Sequence, residues 1–277
     1  ELLTKNKQLF TLYEYDLVDD SCDDVDWDVV RKEIYEKRRL ILNEILDMYG
    51  LEILEKFITN EKMAFNISRI LEEKRDIKID TYLIPKFLNS NNENMKTLCS
   101  SYIRIASYER EEFWFNHLQI ETFSIEQQVS FIKNLKFELS TWELANETLK
   151  EEEHLYWENV NQNIHTSKSD LSYAIEKLNS VGRINVSLEC ISRMILDKKE
   201  INWKLIMETL QKKLSSKQKY IDNYNILNIF EYLENVDNVD KNILCSLEIS
   251  YFSLFSFDNQ EIPKTLFRYL ASDPSFY

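Results

Sequence analysis

Residues 171–195 read LSYAIEKLNSVGRINVSLECISRMI, and the fold class turns on this stretch. Leu171, Ala174, Leu178 and Val181 recur at steps of three and four, the spacing of one face of an α-helix. Ile184, Leu188, Ile191 and Ile195 repeat the pattern, and Gly182 stands between the two stripes as a turn. The stretch reads as an antiparallel helical hairpin.

The same reading extends outward. Downstream, Trp203, Ile206, Leu210 and Leu214 form a third stripe, Ile221, Tyr224, Leu227 and Phe230 a fourth, and Ile243, Leu247, Tyr251 and Leu254 a fifth. Upstream, Asp28 is expected to cap a helix carrying Val30, Ile34, Ile41, Ile45 and Met48, closed by Gly50. Shorter helical segments follow at 51–58, 63–74 and 81–88. Ser90 with Glu93, Ser124 with Gln127 and Ser140 with Glu143 have capping-box spacing. The last of these opens a helix in which Trp142, Ala145, Leu149, Tyr156 and Val160 share a face. Successive helices pair into units of about 30 to 40 residues, the range of tetratricopeptide and HEAT repeats. The expected fold is all-α, an α-solenoid of stacked helical hairpins, with an irregular helical bundle as the alternative. Residues 1–27 are expected to hold the end of a preceding helix and an acidic loop, and 28–277 the helical-repeat region. Apolar residues at both ends of the chain suggest a piece of a longer polypeptide.

Composition agrees with this and removes several functions. The 277 residues include 2 Gly and 3 Pro, where average usage would give about 19 and about 14. Phosphate-cradling loops, nucleophile elbows and dinucleotide-binding turns all need glycines at fixed offsets. Neither Asn-Gly nor Asp-Gly occurs, so tight β-hairpins lack their favoured turns. With 48 acidic against 34 basic residues the formal charge is −14, which argues against nucleic acid and anionic membranes as partners. No apolar run approaches the roughly 20 residues that span a bilayer, and a cytoplasmic location is expected. Cys22, Cys99, Cys190 and Cys245 lie too far apart for a zinc framework and read as idle thiols. The Asn-x-Ser/Thr triplets at Asn66, Asn146 and Asn185 fall inside expected helices and read as chance.

Candidate chemistry is sparse. Asp19-Asp20-Ser21-Cys22-Asp23 has the D-D-x-x-D pattern with which all-helical enzymes hold Mg²⁺ against a diphosphate, but no second metal motif accompanies it. Asp24, Asp26 and Asp28 alternate like the start of a calcium loop that lacks its Gly and its closing Glu. Glu151 and His154 are spaced to share a helix face, without the second pair that a di-iron site needs. His154 amid Glu151, Glu152 and Glu153 therefore reads as surface. The basic groups Lys37, Arg38 and Arg39, and Lys212, Lys213, Lys217 and Lys219, read as solvated helix faces. Phe113-Trp114-Phe115, with Tyr108 and His117, is the densest aromatic cluster. Three consecutive aromatics cannot all face inward from one helix, so the cluster is either core packing or an interaction surface.

Several spacings carry a resemblance: Trp142, Tyr156-Trp157, Val160, Leu171, Ala174, Leu178 and Gly182-Arg183, then Pro263 to Leu266, Ala271, Asp273-Pro274 and Phe276. Over residues 125–277 the chain resembles helical-repeat segments of large bacterial multidomain signalling or anti-phage defence proteins. The resemblance implies a scaffold or sensor arm that contacts a protein partner or other domains of its own chain. It implies no catalytic residue, metal or cofactor within the segment. The expectation is a non-catalytic interaction module, with an Mg²⁺-dependent helical enzyme using residues 19–23 as the alternative.

Overall fold

The computed structural model describes residues 7, 9–10, 26–161, 164, 167, 169–216, 223–255 and 262–272. Among them the chain is all-helical, with no strand. The α-helices are α1 Trp27–Tyr49, α2 Leu54–Phe57, α3 Glu61–Glu73, α4 Ile77–Phe87, α5 Glu93–Glu109, α6 Ile125–Ile132 and α7 Leu139–Leu149. They continue as α8 Glu153–Asn159, α9 Ser172–Ser180, α10 Ile184–Leu196, α11 Trp203–Ser215, α12 Asn223–Asn235, α13 Lys241–Ser250 and α14 Lys264–Ser272.

Short polar side chains start half of these helices by accepting from backbone N–H groups that lack an intrahelical partner. Asp26 caps α1, Asn60 α3, Asp76 α4, Asn92 α5, Asn202 α11 and Asp240 α13. Ser124 and Gln127 form the expected capping box at α6. Two expected caps are displaced. Asp26 rather than Asp28 starts α1, leaving Asp28 in the first turn, and Asn92 rather than Ser90 starts α5, while Ser90 Oγ accepts from Asn92 N at 3.1 Å. Ser140 lies inside α7, not at its cap. At the other end of α1, Gly50 terminates the helix at φ +70 as expected.

The buried stripe of α1 is Ile34, Arg38, Leu42 and Ile45, so Met48 stands exposed. Arg38 is not a solvated residue: it is 3% exposed, and its Nε donates to Leu9 O at 2.8 Å. Lys213 is also buried rather than solvated, with Nζ donating to Asn185 Oδ1 at 2.7 Å. Long aliphatic stems let both side chains line apolar surface while their charged ends find a polar partner. The helix expected to run from Ser140 to Val160 breaks at Lys150, whose φ is +51, into α7, a 3₁₀ turn and α8.

Contacts divide the chain into two compact units, Glu1–Lys136 with Leu144–Lys150, and Phe137–Glu143 with Glu151–Tyr277. In the first, α3 and α5 pack along each other, α4 and α6 lie against α5, and α1 lies against α3. Its core includes Leu42, Phe57, Ile67, Leu83, Leu98 and Phe131. In the second, α9 packs on α10 as the hairpin at Gly182, which has φ +77. The turn closes when Arg183 N donates to Leu178 O at 2.9 Å, the long bond that ends a helix past a left-handed residue. Alternate helices also touch: α9 with α11, α10 with α12 and α11 with α13. That packing is consistent with stacked hairpins.

The second unit is centred on aromatics. Trp142 and Trp157 are buried with ring centroids 6.0 Å apart, and Phe137 lies 5.1 Å from Trp142. At its C-terminal end, the buried Glu248 of α13 accepts from Thr265 N at 3.2 Å and Leu266 N at 2.5 Å, capping α14 across space.

Candidate functional site

Helix α5 ends where Arg110 turns to an extended conformation, its N–H still donating to Ala106 O at 2.9 Å. The guanidinium folds back beneath the helix. Nε donates to Glu72 Oε1 of α3 at 3.0 Å, Nη1 donates to both carboxylate oxygens of Asp80 of α4 at 3.1 and 2.9 Å, and Nη2 donates to the Tyr102 hydroxyl at 2.7 Å. Tyr102 in turn donates to Asp80 Oδ1 at 2.5 Å. The side chains of Arg110, Glu72 and Asp80 are 8%, 3% and 1% exposed. Charges this deep persist only when paired and hydrogen-bonded, and here one guanidinium joins three helices.

The titration of the group reflects this environment. Burial alone would lower the pKa of Arg110, but Tyr102, Glu72 and Asp80 more than offset it and raise it. Burial pushes the Tyr102 phenol up, and its bond to Asp80 pushes it further. The Trp114 ring lies over the guanidinium at 4.7 Å, a cation–π contact that covers the cluster from the loop side.

The segment that follows, residues 111–124, contains two 3₁₀ turns, Asn116–Leu118 and Ile120–Thr122, joined through Gln119 at φ +49. Phe113 holds φ +60, where a bulky side chain is a true outlier. The five aromatic and histidine positions singled out by sequence are therefore not on a helix face, apart from Tyr108 in α5. Phe113 is 45% exposed, whereas Phe115 is buried against Phe131 with centroids 5.1 Å apart. Trp114 is half-buried over Arg110. Tyr108 is half-buried with Lys136 Nζ 5.6 Å from its ring. His117 Nε2 lies 3.1 Å from Asp80 Oδ2 but without the alignment of a hydrogen bond, a charge contact available to the protonated ring. The loop thus presents Phe113 outward while Trp114, Phe115 and His117 secure it below.

Sequence reasoning missed Glu72, Asp80 and Arg110. A signal was present for Asp80, which stands four residues before Ile84 and seven before Phe87 on the stripe that α4 buries. A carboxylate in such a position requires a partner.

The other sequence candidates lie apart from this cluster. Among the described residues no group of three His, Cys, Asp or Glu side chains could hold a metal ion. The D-D-x-x-D stretch at 19–23, Cys22, Asp24, His165, Lys217 and Lys219 lie outside the described residues. His154 is exposed at the start of α8, with Nε2 3.8 Å from Glu152. Its neighbour Glu153 is buried instead, accepting from Lys177 Nζ at 2.6 Å and Trp157 Nε1 at 2.8 Å. Lys212 pairs with Glu208 at 2.8 Å. Burial pushes the thiols of Cys99, Cys190 and Cys245 up, away from the thiolate that reacts. No helix of the described residues is long and apolar enough to cross a membrane. No known protein family, curated protein or solved structure matches the chain.

Proposed function

We propose that this chain works by protein contact, through the loop that joins α5 and α6. One observation carries the reading: Phe113 is held outward in a strained conformation by a loop whose base is clamped to a buried ion cluster. Exposed aromatics on rigid supports supply much of the binding energy at interfaces, and strained residues persist where the surroundings over-determine them. The polar cluster beneath orders the loop before a partner arrives, which reduces the entropy cost of association. In this reading the chain is a non-catalytic scaffold or sensor arm, and its partner is another protein or another part of the same polypeptide.

The test places a photoreactive phenylalanine at position 113 of the full chain in cells that express it, with Phe65 and Tyr224 as exposed control positions. A discrete protein adduct at 113 that is absent at the controls is expected. No adduct at 113, or the same adducts at all three positions, would overturn the contact reading.

A further inference from the structure

The aromatic cluster around Trp142 reaches the surface at Tyr173. Trp142 of α7 and Trp157 of α8 are fully buried, whereas Tyr173 of α9 is 37% exposed. Tyr173 stacks on Trp142 with ring centroids 6.1 Å apart and planes at 27°, and it meets Trp157 edge-on at 5.9 Å. Trp142 and Trp157 are themselves 6.0 Å apart. These spacings are direct ring contacts, close enough for an electron to pass between any two of the three rings.

One carboxylate serves two of them. Glu153 Oε1 accepts from Trp157 Nε1 at 2.8 Å and from the Tyr173 hydroxyl at 3.3 Å, while Lys177 Nζ holds Oε2 at 2.6 Å. Burial opposes the charge of Glu153, but bonds from Lys177, Trp157 and Tyr173 hold its carboxyl below the usual range, so it stands ionised at neutral pH and able to take a proton. Tyr156 makes the contrast. Its ring lies 5.0 Å from that of Trp157, yet it is fully buried and its hydroxyl has no hydrogen-bond partner among the described residues. A phenol or indole that loses an electron becomes a strong acid, and its radical settles where a base stands within hydrogen-bond reach of the proton. Of these four rings, Tyr173 combines that base with an exposed edge.

We propose that Tyr173 is a site of one-electron oxidation and the exit for oxidising equivalents from the Trp142–Trp157 pair, its substrates being diffusible one-electron oxidants. The oxidant takes one electron from any of the three rings and is itself reduced by one. Tyr173 supplies that electron to whichever tryptophan lost it, and its hydroxyl proton passes to Glu153 Oε1. A neutral phenoxyl at the surface and a neutral carboxyl remain, with no bond formed or broken between heavy atoms. A small one-electron reductant that meets the exposed ring returns the electron, and Glu153 returns the proton. The site lies in the second unit and is independent of the contact reading.

The test exposes the full chain to photogenerated tris(bipyridine)ruthenium(III), with persulfate as the terminal electron acceptor and a nitrone that bonds covalently to protein radicals. Adducts are mapped by peptide mass. Exposure alone ranks Tyr224 at 64% and Tyr49 at 47% ahead of Tyr173. More adduct at Tyr173 than at either is expected, and a ranking that follows exposure overturns the proposal. This comparison needs no variant. Glu153→Gln, with helicity checked by circular dichroism, removes the base and should lower the adduct at Tyr173 by at least about tenfold relative to Tyr224 in the same sample. An unchanged ratio overturns the proposal. Tyr173→Phe keeps the ring at an exposed position and closes the exit, so oxygenated products at Trp142 and Trp157 should rise severalfold. No rise at either tryptophan overturns the proposal as well.

Discussion

Each unit sets one arginine at the end of a helix, and the two are satisfied in opposite ways. Arg110 in the first meets carboxylates from two other helices, and its pKa is raised although burial opposes it. Arg183 in the second donates through Nη1 to the carbonyl oxygens of Trp157 at 3.2 Å and Val160 at 2.8 Å, and burial lowers its pKa. A guanidinium on carbonyls closes the C-terminus of α8, where unpaired acceptors and the helix dipole both favour a cation. A guanidinium on buried carboxylates is a different device. Desolvating three charges is costly enough that an apolar replacement often does as well, so stability alone does not explain it. It fixes α3, α4 and the start of a loop in one arrangement, which is what a presenting loop requires.

The sharpest way to break that contrast is Arg110→Met, which leaves Glu72 and Asp80 buried without the guanidinium that pairs them. A loss of about 3–5 kcal/mol is expected, read as lost hydrogen-exchange protection in α3, α4 and α5. A loss below about 1 kcal/mol would mean that the cluster clamps nothing. Arg183→Met bares the Trp157 and Val160 carbonyls and leaves no carboxylate buried in the way Arg110→Met does, so about 1–3 kcal/mol is expected, with exchange rising mainly at the end of α8. Equal losses at the two arginines would erase the distinction between them. Ser124→Ala removes a cap that accepts from Gln127 N and also bonds the exposed Glu126 side chain, at the far end of the loop. It should cost about 1 kcal/mol and leave amide protection around Arg110 unchanged.

The smallest effect repeats the comparison among acids. Burial raises Glu153, but bonds from Lys177 and Trp157 outweigh it and hold the carboxyl below its usual range. Glu248 has chiefly backbone N–H partners, and burial leaves it raised. The stability that Glu153 contributes is therefore present above the unfolded carboxylate pKa and lost as pH falls through the depressed folded value. That from Glu248 is fully present below the unfolded value and lost as pH rises through the elevated folded one. Carboxyl carbon titrations should place the two on opposite sides of the unfolded value, and amide protection in α14 should rise on mild acidification while that around Glu153 does not.

Helices were legible because their signals are local: periodic apolar residues, a capping side chain, a glycine at the close. Cap positions were legible only to within two residues, since Asp26 and Asp28, or Ser90 and Asn92, offer the same chemistry and packing selects between them. The stripe of α1 was misread by treating Arg38 as solvated, because periodicity records polarity and not the reach of a long stem. The cluster at Arg110 was hidden for a stronger reason. Glu72 and Asp80 lie 38 and 30 residues away along the chain, and no local pattern records such pairing. The aromatic triplet at 113–115 was visible, but it lies in a loop and not on a helix, so the limit that a helix face sets does not apply; Phe115 is buried and Phe113 is exposed.

Cys99 sits fully buried in the first unit and Cys190 in the second. With their thiols buried and pushed away from the thiolate form, neither can be alkylated until its surroundings part, so each keeps time on the opening of its own unit. With Cys22 and Cys245 replaced by serine, one labelling experiment followed by peptide mass would run two clocks at once. The same residues that offer no active-site chemistry thereby make the protein a self-recording instrument for its own breathing.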